Sequence, residues 1–409
     1  MAKNCEKYFS KQALGMGPSI IRELLKKYPG KAGTISLTAG RPHPDSFPIE
    51  VIKKLANEVL EKYGGDALQY GPTPGYSGLM EQLKKFMEER YKIDFSNDSI
   101  LITTGSAQVI DLTATVFLNP GDVVIVEKPT YVNAVDTFAP YGAEFVQVPI
   151  DDEGMRVDML EDTLKKLKEE GKTVKVVYTV PTFQNPAGVT MSEERRKHLL
   201  ELANEYDFLI FEDDPYHELN YSEKEPPLPI KHWDSEGRVI YSGSFSKILS
   251  PGFRVGWVVA DPQIIRKFEI VKQRRDLHTS SFCQYIAAEY IKGGYLKEQI
   301  PKIRALYKPK LKAMLDALEE YMPGGFNWTK PTGGMFVWII GPSELNTTSM
   351  LERAVENGVV YVPGEAFYPD RSVKNTMRVN FSYPSEEEIV EGIKRLSKTC
   401  KEELSSIGG

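Results

Sequence analysis

The sequence predicts an α/β fold in which a large domain, built on a mostly parallel central sheet with helices on both faces, is joined to a smaller α+β domain. Three observations carry this. From Ile100 onward short β-branched runs alternate with helical stretches, and the runs are apolar on both faces, as strands covered by helices on each side must be. After about Ile300 the pattern changes to one long helix followed by isolated strands. Finally, 409 residues with 41% apolar composition exceed what one core comfortably holds.

The elements follow in order. SIIRELLKKY (Ser19 to Tyr28) reads as an early amphipathic helix capped by Ser19, and IEVIKKLANEVLEKY and YSGLMEQLKKFMEERY repeat apolar residues at helical spacing. The runs ILIT, DVVIVE, EFVQVPI, VKVVYTV, FLIFED, RVIYSGS and RVGWVVA read as strands. Between several of them lie helices such as Met155 to Glu170 and Ser192 to Tyr206. A helix from Lys302 to Tyr321 leads to GGMFVWI, GVVYVP and TMRVNFS, and a last helix starts at Ser385. The expected division is a large domain over residues 49–300 and a discontinuous small domain over 1–48 and 301–409.

Composition excludes several functions. A net charge of −6 with interleaved signs offers no basic surface for nucleic acid. The three cysteines, Cys5, Cys283 and Cys400, are odd in number and far apart, so they form no disulfide framework and fit a reducing compartment. The five histidines are scattered without an H-E-x-x-H pattern, so no metal site is expected. No apolar run reaches signal-peptide or membrane-spanning length, and a cytoplasmic enzyme is the expectation that survives. The GKT at Gly171 to Thr173 lacks the upstream glycine of a phosphate-binding P-loop, since Lys166 stands there. There is neither a G-x-G-x-x-G after a strand nor a G-x-S-x-G elbow.

Four polar clusters close successive strands. In an open α/β sheet, ligands sit outside the carboxyl ends of the strands, so residues distant in sequence can meet there. TTGSAQ (Thr103 to Gln108) follows a strand and opens a helix, whose free N–H groups and positive dipole end suit a phosphate; a plain serine cap is the simpler reading of Ser106. PTFQNPAG (Pro181 to Gly188) is a turn that could offer Asn185 as a donor. FEDDPY sets carboxylates at a strand end, where burial is unfavourable without a cationic partner. SGSFSKILSPGFRVGW (Ser242 to Trp257) holds serines, Lys247 and, seven residues on, Arg254. A lysine in a Ser/Gly-rich segment between apolar strands is better placed to lose its proton and act as a nucleophile than one on a charged helix. A nucleophilic lysine, phosphate donors and a strand-end aspartate together are what pyridoxal phosphate requires.

With SIIREL, LQYGPTPGY, KPTY, DLHTSSFCQ, GGMFVW, VPGEAFY and MRVNFS in the same order, the chain resembles the fold-type I, pyridoxal-phosphate-dependent class I/II aminotransferases. It is most similar to the 2-aminoadipate and kynurenine aminotransferase subgroup, over nearly its whole length. The resemblance implies that Lys247 carries the cofactor as a Schiff base, that Asp213 pairs with the pyridine nitrogen, and that Tyr216 and Asn185 bond the ring's phenolic oxygen. It implies that Tyr131 stacks on the ring and that Ser106, the Ala107 backbone, Gln108, Ser244, Ser246 and Arg254 hold the phosphate. Tyr70 would reach the phosphate of a neighbouring subunit, making a homodimer with shared sites. Arg378 would grip the substrate α-carboxylate, with Gly40 and Asn185 beside it, and Arg22 would read the distal carboxylate of acidic substrates. Two departures, GSAQ for GSQQ and NPAG for NPTG, leave the reaction intact. The implied activity is amino transfer from an amino acid to a 2-oxo acid such as 2-oxoglutarate. A β-lyase or decarboxylase of the same fold is the nearest alternative. A transcriptional sensor is further off, because the roughly 45 residues before the core leave no room for a DNA-binding module.

Overall fold

The computed structural model describes residues 5–18, 23, 26 and 33–407. Most of the expected helix over Ser19 to Tyr28 lies outside them, though Glu23 and Lys26 are helical and ion-paired.

The strands in chain order are β1 (Ile35–Ser36), β2 (Ser99–Thr103), β3 (Val123–Lys128), β4 (Glu144–Asp151), β5 (Gly154–Met155), β6 (Val174–Thr179), β7 (Leu209–Asp213), β8 (Val239–Ser244), β9 (Gly256–Ala260), β10 (Asn327–Trp328), β11 (Phe336–Ile340), β12 (Val359–Val360), β13 (Val362–Pro363) and β14 (Thr376–Asn380). Eight of them form one sheet in the order β2-β9-β8-β7-β6-β3-β4-β5. The pairs β8–β7, β7–β6, β6–β3 and β3–β4 are parallel, whereas β9 runs antiparallel to both of its neighbours and β5 to β4. RVGWVVA therefore joins the sheet as expected, but in reverse.

Successive side chains of a strand point to opposite faces, and the core divides accordingly. Val124, Val126, Val176, Tyr178, Phe211 and Ile240 pack into one buried cluster, while Val123, Ile125, Val177, Ile210 and Val239 enter another on the opposite face. Both faces are apolar because helices cover both, among them Ser106–Phe117 and Pro262–Arg275 on the first and Val157–Glu169 and Glu193–Tyr206 on the second.

A four-stranded antiparallel sheet, β10-β11-β14-β13, follows in the C-terminal third, and β1 pairs in parallel with β12 through Ile35–Val359 and Ser36–Val360. The N-terminal segment is thus tied to the C-terminal one. The long helix covers Tyr295–Tyr321, starting seven residues before the expected Lys302, with Pro301 and Pro309 inside it.

β2, β6, β7 and β8 end at Thr103, Thr179, Asp213 and Ser244. They bring the four polar clusters to one edge of the sheet, and β14 carries Arg378 to the same place from the smaller sheet.

Candidate active site

One cavity of about 520 Å³ opens at this edge, lined by Gly40, Ser106, Ala107, Tyr131, Asn185, Asp213, Tyr216, Ser244, Ser246, Lys247, Arg254, Phe336 and Arg378, among others. Its ionisable walls hold one carboxylate, Asp213, against three cations. Such a surface suits a ligand bearing phosphate and carboxylate groups.

Asp213 ends β7 and is 3% exposed. Its Oδ2 accepts a hydrogen bond from the Tyr178 hydroxyl at 2.8 Å, while Oδ1 is buried with no partner among the described residues. Burial pushes its carboxyl up to about 7, against the Tyr178 bond and with help from the neighbouring Asp214. An unsatisfied oxygen on a carboxylate that lines a cavity calls for a donor from the ligand, and a protonated ring nitrogen is such a donor.

Lys247 lies in the turn after β8, and its Nζ donates to the Gly40 carbonyl at 3.0 Å. Burial foremost, then Arg378 and Arg254, lower its ammonium to about 8. Arg378 sits in β14 and is 2% exposed. It donates from Nη1 to Asn185 Oδ1 at 2.9 Å and from Nη2 to the Thr38 carbonyl at 3.0 Å, and its Nε is buried without a partner among the described residues. The guanidinium lies 4.2 Å from the centre of the Phe336 ring. Asn185 also donates to the Tyr216 hydroxyl at 3.4 Å, and burial holds that phenol well above its ordinary range. Tyr131 caps the helix Val132–Phe138, accepts from Asn133, and is pushed by burial to about 12.

Ser106 proves to be the first residue of its helix, and the cap is Gly105 at φ +78°. A Cβ there would stand 2.4 Å from Arg254 Nη2, so the glycine lets the guanidinium approach the turn. Ser106 and Ala107 present first-turn N–H groups, which an α-helix leaves without intrahelical partners. Ser244 Oγ donates to Ser246 Oγ at 2.9 Å and accepts from the Ser246 N–H at 3.1 Å. Arg254 stands exposed at the rim, donating to the Thr104 and Pro251 carbonyls.

Gln108 does not line the cavity. Its Oε1 accepts from the Thr104 N–H and from Lys272, and its Nε2 donates to Asp276. Its own N–H donates to the Gly105 carbonyl. The side chain therefore braces the turn from behind rather than reaching into the cavity. Tyr70 is 79% exposed, its ring set edge-on to His278. Arg22 lies outside the described residues. Phe336 and Tyr178 were not singled out from the sequence, where each reads as a plain strand residue.

The residues fit pyridoxal phosphate: an orphaned carboxylate oxygen for the ring nitrogen, a lysine with a lowered pKa, and a helix start beside an arginine. The family model for aminotransferase class I and II matches residues 32–396.

The chain belongs to the class I and II aminotransferases.

It is 59% identical, over 98% of its length and 95% of the relative's, to aromatic-amino-acid aminotransferase 1 of Thermococcus litoralis. The 2-aminoadipate transaminase of Thermus thermophilus is 38% identical over 96% of each chain. A solved Pyrococcus horikoshii kynurenine aminotransferase, in complex with PMP and kynurenine, superposes with a TM-score of 0.96 at 57% identity, covering 98% of this chain and 99% of that one. The protein is a pyridoxal-phosphate-dependent aminotransferase of fold type I. These relatives favour amino transfer over the lyase, decarboxylase and sensor alternatives. No described helix of this aminotransferase is long and apolar enough to cross a membrane.

Proposed function

We propose that this aminotransferase takes amino groups from aromatic and acidic amino acids, kynurenine and 2-aminoadipate among them, and delivers them to 2-oxoglutarate in ping-pong fashion. The observation that carries the site assignment is that Asp213, whose buried Oδ1 has no partner among the described residues, lines the same cavity as Lys247.

Bound pyridoxal phosphate supplies an electron-accepting ring that makes the α-proton of an amino acid removable. Asp213 would keep the ring nitrogen protonated. Ser106, the Ala107 N–H, Ser244, Ser246 and Arg254 would hold the phosphate, and Tyr216 with Asn185 the phenolic oxygen. Arg378 would take the substrate α-carboxylate as a bidentate partner, already oriented by Asn185 and Thr38. Lys247 Nζ would remove the α-proton as a base and return it as an acid, a task suited to a pKa near the working pH. Tyr131 would stack on the cofactor ring, Phe336 offers apolar surface beside Arg378 for an aromatic side chain, and Arg22 would read a distal carboxylate.

A homodimer is part of the proposal. Tyr70 at 79% and Leu68 at 71% exposure form an apolar edge that a second copy would cover. The three free cysteines are consistent with a cytoplasmic location.

Single-turnover measurement tests the activity. Each donor is mixed with enzyme and no acceptor, and the oxo acid formed is counted per active site. One equivalent of oxo acid with no free ammonia is the expected result; continuous ammonia release would overturn it.

A further inference from the structure

Glu127, in β3, has no place in the chemistry above, yet it is a carboxylate with 1% exposure. Its described partners are all neutral donors. The Thr179 hydroxyl donates to Oε1 at 2.6 Å, and Gln184 Nε2 and the Val180 N–H donate to Oε2 at 2.9 and 3.3 Å. Burying a carboxylate without a cation is unfavourable, so these donors must converge on it closely.

Gln184 is the informative partner. Its Nε2 also donates to the Pro129 carbonyl at 2.9 Å, and its Oε1 accepts from the Ala187 N–H at 2.7 Å. One buried amide therefore ties together two turns that reach the cavity. The turn after β3 carries Tyr131, and the turn after β6 carries Asn185. An amide could be placed either way round by shape alone. Here Glu127 Oε2 and the Pro129 carbonyl both accept at one end and a backbone N–H donates at the other, so only one orientation satisfies all three.

We propose that Glu127 and Gln184 are positioning residues of the aminotransferase: the Glu127 carboxylate orients the Gln184 amide, and that amide fixes Asn185 and Tyr131 relative to each other across the cavity. Asn185 in turn holds Arg378 and Tyr216. The inference rests on the roles proposed above for Asn185 and Tyr131.

Gln184→Glu in the holoenzyme keeps the side chain's shape and replaces the donor with an acceptor facing Glu127 and the Pro129 carbonyl. The expected result is a Michaelis constant for the amino donor raised about ten- to a hundred-fold, the scale of a small misplacement of binding groups. The visible absorption of the bound cofactor should shift as well, because Asn185 and Tyr216 move. Both defects should shrink as the pH falls, when one proton can be shared between Glu127 and the new carboxyl. The exchange Glu127→Gln with Gln184→Glu restores a donor facing an acceptor between the two side chains but leaves the Pro129 carbonyl facing a carboxylate, so it should recover only part of both.

Asn185→Ser separates the two levels of argument. A changed Michaelis constant in Asn185→Ser with a native one in Gln184→Glu overturns the positioning role alone. A native constant in Asn185→Ser overturns the reading of the site and the positioning role with it. A fall in melting temperature in Gln184→Glu, with constant and spectrum unchanged, also overturns the proposal by making the pair merely structural. If Gln184→Glu does not fold, Gln184→Ala carries the test: a raised constant with a shifted spectrum supports the proposal, and a folded protein with native constant and spectrum overturns it.

Discussion

The amine of Lys247 donates to the carbonyl of Gly40 at 3.0 Å, joining the turn after β8 to the N-terminal segment. A Cβ on Gly40 would lie 2.5 Å from Phe336 Cζ, and the Phe336 ring in turn lies against the Arg378 guanidinium. Gly40→Ala should therefore displace the Phe336 ring that lies against Arg378, raise the Michaelis constant of the amino donor about ten-fold, and cost about 1–3 kcal/mol of stability. Steady-state kinetics beside a thermal melt checks this. A native Michaelis constant would show that Phe336 yields into free space.

Lys247 should be identifiable by its titration. In cofactor-stripped enzyme its amine loses its proton around pH 8 rather than at the ordinary lysine value of 10.5. Amine-selective labelling followed by peptide mapping should show Lys247 reacting with a midpoint near 8. Arg378→Gln removes the larger of the two cationic neighbours and should move that midpoint upward. Borohydride treatment of the holoenzyme should fix the cofactor on Lys247 and on no other lysine.

Asp213 should weaken the cofactor-free protein. Its folded-state carboxyl is raised from 3.8 to about 7, so the native state binds the proton more tightly than the unfolded chain does. Stability from this group is full below about pH 4, falls as the pH rises toward 7, and stays low above that, by on the order of 4 kcal/mol. Asp213→Asn should accordingly melt higher than the parent at pH 8 when both lack cofactor, and the difference should shrink at pH 5. The same substitution should abolish most transamination. Equal melting temperatures at pH 8 would mean that the carboxylate is already satisfied.

The four clusters were legible because each closes a strand, and strand ends of one sheet converge. What stayed hidden depends on direction. RVGWVVA reads like its neighbours because a strand buried on both faces carries no mark of its polarity, so the antiparallel setting of β9 is visible only in the fold. The helix start at Tyr295 is hidden because a proline reads as a helix boundary, whereas Pro301 here sits inside the helix. Gln108 was misplaced because a motif names a residue without saying where its side chain points. Tyr178, Phe336 and Glu127 occur in apolar strands, and nothing in their spacing marks them out from core residues.

Gln108 and Ser106 should differ in what they lose. Gln108→Ala removes the side-chain acceptor of the Thr104 N–H and one of several partners of Lys272 and Asp276, a loss of about 1–3 kcal/mol, so the cofactor-free protein should melt lower. Ser106→Ala removes a group that lines the cavity, so it should weaken cofactor retention and leave the cofactor-free melt near native. Equilibrium dialysis against pyridoxal phosphate, paired with melts of the stripped proteins, distinguishes them. A Gln108→Ala protein with a native melt and weakened cofactor binding would return Gln108 to the cavity.

Tyr70 gives the most direct test of shared sites. At 79% exposure and away from the cavity lining, it can serve a phosphate only in another subunit. Tyr70→Ala and Lys247→Ala homodimers should both be strongly impaired, each for a different reason. When equal amounts are unfolded together and refolded, about half of the dimers should be mixed. In a mixed dimer the subunit that keeps Lys247 receives Tyr70 from its partner, which keeps Tyr70, and so has one intact site. The other subunit lacks Lys247 and is dead. Half of the dimers with one of two sites working gives about a quarter of native activity, from two parents that have almost none. If Tyr70 served its own subunit, no mixed dimer would hold an intact site and refolding would restore nothing. Sedimentation on the same samples confirms that dimers have formed, so an absence of recovered activity would count against the shared site and not against assembly.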